Sequence, residues 1–520
     1  MRELPLDHHC AWREEAEELR AKLTTLEAQV AQLQRHVFGR RSEKMPSITE
    51  ELRRGKAPDP ERARKRRQQN KEAKRALPAR RIEHLVPEND RVCPVCGGTE
   101  LRPLGPGRET CVFEHVPARV EQQLHVQEVL TCRCGAGVIT APGEPKVIDK
   151  TQYGPGLLAH IIVSKTADSI PLYRMAKQYR RLGVPISRST LTDLFHRGAE
   201  LLAPLAQRLE ALVAAQPVVQ GDETVMRVQQ KGKCKKGYLW TFLTWMAVAD
   251  RRVELIAYRF SPTRSGETPV DVLGGTRGTL VVDAYTGYNA VTTPNGRDRA
   301  GCLAHARRRF FEALDTAPEA QQALDLIREV YRVEHEAIER GLVGTPAHLA
   351  LRQEKSRPLM EQLGVWIEAQ KLTRQHLPKG PMGEALNYAQ NNWDELCLFL
   401  GDAQVPPDNN ASERALRAAA LGRKNYLFVG TDQAGHNIAG LYALVATCEA
   451  NGVNPVEYIT DVLIRVQDHP SSRIDELLPF NWQLIDKPPS PAPAPQTPLP
   501  GPRNAQGPPS RTDSQPAANA

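Results

Sequence analysis

The sequence predicts a multidomain α+β protein, and three observations carry that expectation. At 520 residues the chain is longer than one hydrophobic core serves. Its patterning changes repeatedly along its length: a heptad-spaced helix, a cysteine-bearing strand-like stretch, amphipathic helices, apolar strands, and helices again. From Lys487 to Ala520, proline, alanine and serine dominate and aromatic residues are absent. With 25% charged and 40% hydrophobic residues and a net charge of +8, the bulk composition is that of a soluble protein with a basic bias. No early apolar stretch resembles a signal peptide, and the apolar run Trp240 to Ala249 is about half a membrane span. Sparse cysteines, four of them in a metal-like cluster, point to a reducing cytoplasm, and no membrane partner is expected.

Residues 12–38 predict a coiled coil. Trp12, Leu19, Leu26 and Leu33 form one heptad set and Ala16, Leu23, Val30 and Val37 the other, so alternating steps of three and four keep both on one seam. Roughly three heptads need a partner strand, which predicts a homodimer or higher oligomer. Residues 39–90 form a basic linker. Between Arg53 and Arg81 it carries thirteen Lys and Arg against Asp59, Glu61 and Glu72, a block suited to polyanions, with nascent helix from Pro60 to Ala76.

Residues 91–145 predict a zinc-ribbon-like domain. Cys93-Pro-Val-Cys96-Gly-Gly is half of a zinc knuckle, in which two sulfurs grip one ion above a glycine turn. Cys132-Arg-Cys134 is the second half, with one intervening residue instead of two, and Cys111, His115 or His125 could replace one ligand. The zinc expected there is structural.

Residues 151–214 are helical in pattern. A helix from Tyr173 ends at Gly183, Val184-Pro-Ile turns, and Ser187 caps a second helix. This is a helix-turn-helix-like layout that would offer Arg188, Ser189 and Thr190 to a DNA major groove. From 217 to 316 strands take over: Val218-Val-Gln, Tyr238 to Val248, Val253 to Tyr258 and Thr279 to Asp283, with Gly232 and Gly237 breaking the first two. Three antiparallel strands, a fourth and a following helix fit the mixed sheet of a ribonuclease-H-like catalytic domain with flanking helices. Residues 317–400 read as an all-helical insertion, with heptad-like Leu324, Ile327, Val330 and Ile338, and the catalytic domain resumes over 401–486. The tail, 487–520, cannot bury enough apolar surface to fold and is expected to be disordered.

Three acids organise this layout. Asp222 and Asp283 each end a short apolar run, and Glu413 lies one turn into a helix that Asp408, Asn409 or Ser412 could cap. Brought together, three carboxylates suit Mg²⁺ (or Mn²⁺), which prefers oxygen ligands and keeps waters for substrate. Two such ions serve both ends of an in-line phosphodiester displacement, with Asp222 bridging and Asp283 and Glu413 completing one ion each. Glu223 falls on the opposite side of its strand and is excluded. Separately, each acid also has a structural reading: a strand-end cap for Asp222, a turn former for Asp283, an Arg417 partner for Glu413. Cys302 and His305 could touch the site or pack structurally, and Arg307, Arg308, Arg309, Arg414, Arg417, Arg423 and Lys424 are candidate phosphate contacts.

Taken together, these segments resemble the transposases of the insertion-sequence-66 family, a DDE-type group. The likeness runs from about residue 12 to 485. It rests on Val37-Phe-Gly-Arg-Arg-Ser-Glu-Lys44, Cys93-Pro-Val-Cys96-Gly, Leu157 to Lys165, Pro171-Leu-Tyr-Arg and Ser187-Arg-Ser-Thr-Leu. Gly221-Asp-Glu-Thr, Asp283-Ala-Tyr-Thr-Gly-Tyr, Cys302-Leu-Ala-His-Ala-Arg-Arg, Asn409-Asn-Ala-Ser-Glu-Arg-Ala and Gly422-Arg-Lys-Asn complete it. The resemblance implies a DDE triad at Asp222, Asp283 and Glu413, a divalent metal, DNA partners in the terminal inverted repeats and target DNA, and two small accessory proteins of the same element. Leu303 stands where that family usually has tryptophan, and the tail lies outside the match. The alternative reading is a zinc-ribbon and helix-turn-helix DNA-binding regulator that has lost catalysis; a nonspecific nuclease is a third.

Overall fold

The computed structural model describes residues 151–483 except 293 and 295, together with 60–75, 129–131, 138–140, 146–148 and residues 12, 15–20, 22, 23, 26, 52 and 127. Of the expected coiled coil, Trp12, Leu19, Leu23 and Leu26 are helical and exposed, while Val30, Leu33 and Val37 lie outside the described residues. So do Cys93, Cys96, Cys132 and Cys134, the alternative ligands Cys111, His115 and His125, and the tail 487–520. Helix α1 (Pro60–Arg75) falls in the basic linker. Strands β1 (Val129–Thr131) and β2 (Val138–Thr140) pair antiparallel on either side of Cys132 and Cys134 in sequence.

Three helices lead into the sheet: α2 (Pro155–Thr166), α3 (Leu172–Arg181) and α4 (Arg188–Ala214). The turn between α3 and α4 ends at Ser187, whose hydroxyl accepts from the Thr190 amide at 3.0 Å and satisfies one of the amides that the helix start leaves open. Thr190 is therefore part of the cap, half-buried, while Arg188 and Ser189 are exposed.

The sheet has five strands in the order β5-β4-β3-β6-β7. β3 (Val218–Gln230), β4 (Lys233–Val248) and β5 (Arg251–Ser261) form an antiparallel meander; β6 (Thr279–Val281) runs parallel to β3, and β7 (Asp298–Ala300) parallel to β6. Two expectations need correction. β3 does not stop at Asp222 but continues to Gln230, because β4 pairs with it over its whole length. Gly237 does not break β4: it sits inside the strand opposite Met226, where a Cβ would come within 2.9 Å of both the Met226 carbonyl and the Phe260 ring. Gly232, at φ +73°, is the true turn residue of the β3–β4 hairpin.

β7 carries Asp298-Arg-Ala and gives no alternating apolar signal. Its position is set by Arg297, which is fully buried. Nη2 of Arg297 donates to the Ala214 and Gln216 carbonyls at 2.6 and 2.9 Å, and Nε to Thr276 Oγ1 at 2.8 Å. One guanidinium thus supplies donors to the carbonyls at the end of α4, a structural solution for a buried cation.

Beyond the sheet, α5 (Glu267–Leu273) precedes β6 and α6 (Leu303–Ala313) follows β7. The expected all-helical insertion contains α7 (Ala320–Glu339), a π-helical turn at Arg352–Ser356, α8 (Arg357–Leu372) and α9 (Pro381–Asn391). Leu324, Ile327 and Val330 are buried as their spacing predicts, but Ile338 is 62% exposed; Tyr331, Val333 and Ala337 complete the buried face. Val218, Val281 and Ala300 share a core with Leu303 and Phe310 of α6 and with Ile327 and Val330 of the insertion. The chain closes with α10 (Asn410–Tyr426), α11 (Asp432–Ala450) and α12 (Pro455–Arg465), with α11 lying against β5.

Candidate active site

Strand register places two of the three acids. Val218, Val219 and Gln220 of β3 pair in parallel with Thr279, Leu280 and Val281 of β6. The paired register stops at Gln220 and Val281, two residues short of Asp222 and Asp283; carried on by two residues it would bring these acids side by side, and the Asp283 charge does act on Asp222. On the other side Asp222 pairs with Thr241, and Thr241 with Tyr258. The offset of β7, with Ala300 against Val281 and the Val282 amide bonded to the Ala300 carbonyl at 3.0 Å, brings Cys302 next in the row. Residues paired across a sheet share a face. One face therefore carries Tyr258, Thr241 and Asp222 in a line, and the same face, continued past the ends of β6 and β7, leads to Asp283 and Cys302.

Glu413 reaches this face on α10. Asn409, fully buried, donates through Nδ2 to the Gly221 carbonyl at 3.2 Å, fastening the start of α10 to β3 one residue before Asp222. Farther along, Nη1 of Arg423 donates to Thr224 Oγ1 at 3.1 Å and the Val225 carbonyl at 2.7 Å. Tyr258 donates to the Ala415 carbonyl at 2.7 Å from the same face. Asn409 occupies the cap position without a side-chain cap bond, and Asp408 just before it accepts through Oδ1 from the Asn410 amide at 3.1 Å. Oδ2 of Asp408 accepts from the Tyr331 hydroxyl of α7 at 2.7 Å, so the insertion helps to hold the helix that carries Glu413.

Electrostatics record the convergence. Burial, reinforced by the charges of Glu223, Glu413 and Asp283, pushes the Asp222 carboxyl up to about 8, against a single opposing hydrogen bond from the Glu223 amide. His305 Nε2 stands 3.7 Å from Glu413 Oε1; burial lowers the imidazole pKa even though Glu413 and Asp283 pull it upward. Asp283 also forms a local turn, its Oδ1 accepting from the Tyr285 amide at 3.0 Å. Arg299 donates to the Asp283 carbonyl and, at 2.9 Å, to that of Tyr285, bracing this turn from β7. Cys302 is buried, and burial raises its thiol far above the usual range. Among the described residues, no three or more His, Cys, Asp or Glu side chains are gathered into a ready-made metal cluster.

Glu223 lies on the opposite face. Its register partner Trp240 packs edge-on against Tyr288, the Tyr288 hydroxyl donates to Glu223 Oε2 at 2.8 Å, and Arg264 pairs with Oε1. Of the candidate phosphate contacts, Arg308, Arg414, Arg417 and Lys424 are exposed. Arg307 is 3% exposed inside the α6 core, closed off from a DNA backbone. Arg423 is committed to the sheet, and Arg309 stacks over the Tyr388 ring at 4.5 Å. Sequence reasoning did not single out Tyr331, Arg299 or the pairing role of Asp408. Tyr331 had only the apolar periodicity of α7 as a signal, and that period marks its burial and not its hydroxyl.

Comparison with known proteins adds an independent line. A model of the Transposase IS66 family matches residues 150–437, and a model of the IS66 C-terminal element matches residues 443–480. Two proteins of Sinorhizobium fredii named as uncharacterized, y4hP and y4jD, are each 32% identical to this chain. The first alignment covers 77% of this chain and 75% of the relative, the second 78% and 80%. No helix among the described residues is long and apolar enough to cross a membrane.

Proposed function

The chain belongs to the IS66 transposase family, and on that premise we propose that it cuts and joins DNA by divalent-cation-dependent phosphoryl transfer at Asp222, Asp283 and Glu413. The observation that supports this reading is electrostatic and geometric together: the β3–β6 register runs towards the two aspartates, and the charges of Glu413 and Asp283 both act on Asp222. The donor chemistry fits Mg²⁺ or Mn²⁺, since all three ligands are carboxylate oxygens. Like charges crowded in a half-buried site are costly alone and are relieved by a cation. A bound pair of such ions supplies activation of the attacking oxygen and neutralisation of charge on the leaving oxygen.

The chain's own side chains prepare that arrangement. Asn409 and Arg423 hold α10 against β3, Asp408 accepts from its first amide, and His305 faces the Glu413 carboxylate. Arg299 fixes the backbone turn that presents Asp283. Exposed Arg308, Arg414, Arg417 and Lys424 are the phosphate contacts we retain, and exposed Arg188 and Ser189 the major-groove contacts, with element ends and target DNA as substrates. The cysteine pairs Cys93/Cys96 and Cys132/Cys134 support a structural zinc, and the heptads of 12–38 support self-association.

The test is strand cutting and transfer by the purified full chain with Mg²⁺ or Mn²⁺ and a duplex bearing the element's inverted repeat. Asp283→Ala should abolish cutting while sparing DNA binding; equal cutting by the variant rejects the assignment. A regulator that binds DNA without cutting it is the competing reading, favoured by the absence of a ready-made metal cluster among the described residues. It predicts salt-dependent binding with no metal-dependent cutting by the unmodified chain.

A further inference from the structure

We propose that the β3–β4 hairpin tip is a DNA-contacting arm that grips backbone phosphates about one helical turn from the catalytic aspartate. The proposal rests on the reading of Asp222 as part of the catalytic centre. The same strand that carries Asp222 runs on to Gln230, and the chain returns through the Lys231-Gly232 turn into β4. This outer part leaves the rest of the sheet behind: β6 stops pairing at Gln220, and β5 pairs with β4 only as far as Tyr238. It is braced where it leaves, by the Gln229 amide donating to the Val429 carbonyl and the Val429 amide to that of Arg227, both at 2.9 Å.

The charge on this arm is one-sided. Arg227, Lys231, Lys233, Lys235 and Lys236 lie within ten residues, and no Asp or Glu occurs from Thr224 to Ala249. Lys235 pairs with Asp432 at 2.6 Å; Arg227, Lys231, Lys233 and Lys236 are exposed and pair with no carboxylate among the described residues. Arg227 and Lys236 are moreover direct cross-strand partners. Like charges placed opposite each other destabilise a ribbon, and so does a cluster of unpaired cations at its end. Folding alone gains nothing from this arrangement, whereas a polyanion lying against it relieves the repulsion. Duplex DNA is the polyanion that the catalytic reading brings to this strand. From Asp222 to Lys231 is nine residues of strand, roughly 30 Å at about 3.3 Å per residue, the rise of about nine base pairs.

A single arm of this kind has a quantitative signature. Binding of the full chain to a 40-base-pair random-sequence duplex, measured in EDTA so that no cutting occurs, should show a shallower salt dependence after Lys231→Gln, Lys233→Gln and Lys236→Gln are combined. Each phosphate that the arm no longer neutralises lowers the slope of log K against log salt by about 0.9, so the triple variant should lose roughly 2 to 3. A second measurement needs no loss of charge. Cys234, an exposed free thiol at the tip, should crosslink to duplex DNA when it carries a photoreactive group, and Cys234→Ser should remove that adduct. An unchanged slope, or an adduct that persists in Cys234→Ser, overturns the proposal. Asp222→Asn keeps both signals if the arm is right, so failure of the catalytic assignment shows in the cutting assay alone.

Discussion

The two halves of the candidate site are built by different means. Asp222 is placed by backbone pairing, inside the β3–β4 ladder that runs from Gln220 to Gln230, and Asp283 follows two residues after the short β6 strand that pairs with the start of β3. Glu413 is placed by side chains, namely Asn409 on Gly221, Arg423 on Thr224 and Val225, and the Tyr331 hydroxyl on Asp408. A ladder spreads its constraint over many equivalent bonds, so no single side chain decides where Asp222 sits, and Arg299 is the one side chain that braces the turn at Asp283. The helix half depends on a few named groups, one of them contributed by the insertion. Substitutions in the sheet half should therefore remove chemistry without moving structure, and those in the helix half should move both.

The largest effect tests the sheet half. Asp222→Asn preserves the acceptor for the Glu223 amide, which Oδ1 now serves at 2.8 Å, but removes the carboxyl group proposed to hold a cation. Cutting should fall by roughly 10³-fold, the equivalent of about 4 kcal/mol of transition-state stabilisation, with the thermal midpoint not lowered. A lowered midpoint would show that the carboxylate holds the sheet together, and the contrast between the halves would fail.

Next in size is the insertion that supports the helix half. Arg352 is buried and makes two bonds of 2.7 Å to Glu334 together with bonds of 2.8, 2.8 and 2.9 Å to the Phe399, Asp402 and Val405 carbonyls. Arg352→Ala should cost about 3–5 kcal/mol, because it leaves three carbonyls without this donor and Glu334 with His348 alone. Calorimetry should show the loss in the insertion, with the melting of the sheet less affected. Tyr331→Phe is the milder lesion. It deletes the hydroxyl that donates to half-buried Asp408, at about 1–3 kcal/mol, and loosens the start of α10. If Glu413 holds a cation as proposed, cutting should drop about 10- to 100-fold at unchanged DNA affinity, because the helix that carries it is less well held. Equal losses of binding and cutting would place Tyr331 in general folding instead.

How much of this was legible in the sequence follows the same division. The mixed sheet, the Ser187 cap and the helical character of 317–400 were readable, because apolar alternation, a capping serine and helical periodicity are local signals. The lengths of β3 and β4 were not. Glycine at 237 reads as a breaker, and only the Phe260 ring packed over it explains why that position is bare within a strand. β7 was invisible because a three-residue parallel strand with two charged members has no pattern; buried Arg297, binding carbonyls at the end of α4, holds it. Arg307 and Arg423 resembled Arg308 and Lys424 in one dimension, since a run of basic residues on a helix says nothing about which of them turns inward. The acids were identifiable as candidates, but their common face needed the β3–β6 offset, which no local signal contains.

The smallest predicted effect is a pH dependence confined to the helix half. Burial alone would raise the Glu334 carboxyl, but hydrogen bonds from His348 and Arg352 outweigh it and hold the group below its ordinary 4.5. A carboxyl whose folded pKa is depressed adds stability that is fully present above the unfolded value. That stability disappears as pH falls through the folded one. Between pH 7 and 5 the insertion should therefore be unaffected by this group, and below about 4.5 it should loosen progressively as Glu334 takes up a proton. Glu334→Gln should remove that acid-dependent step while lowering stability at neutral pH, where Arg352 would face a neutral partner. Amide exchange, corrected for its intrinsic pH dependence, separates the halves. Protection in α7 and α8 should fall in acid while β3 and β4 stay protected, and equal loss in both would mean that one cooperative unit carries the whole site.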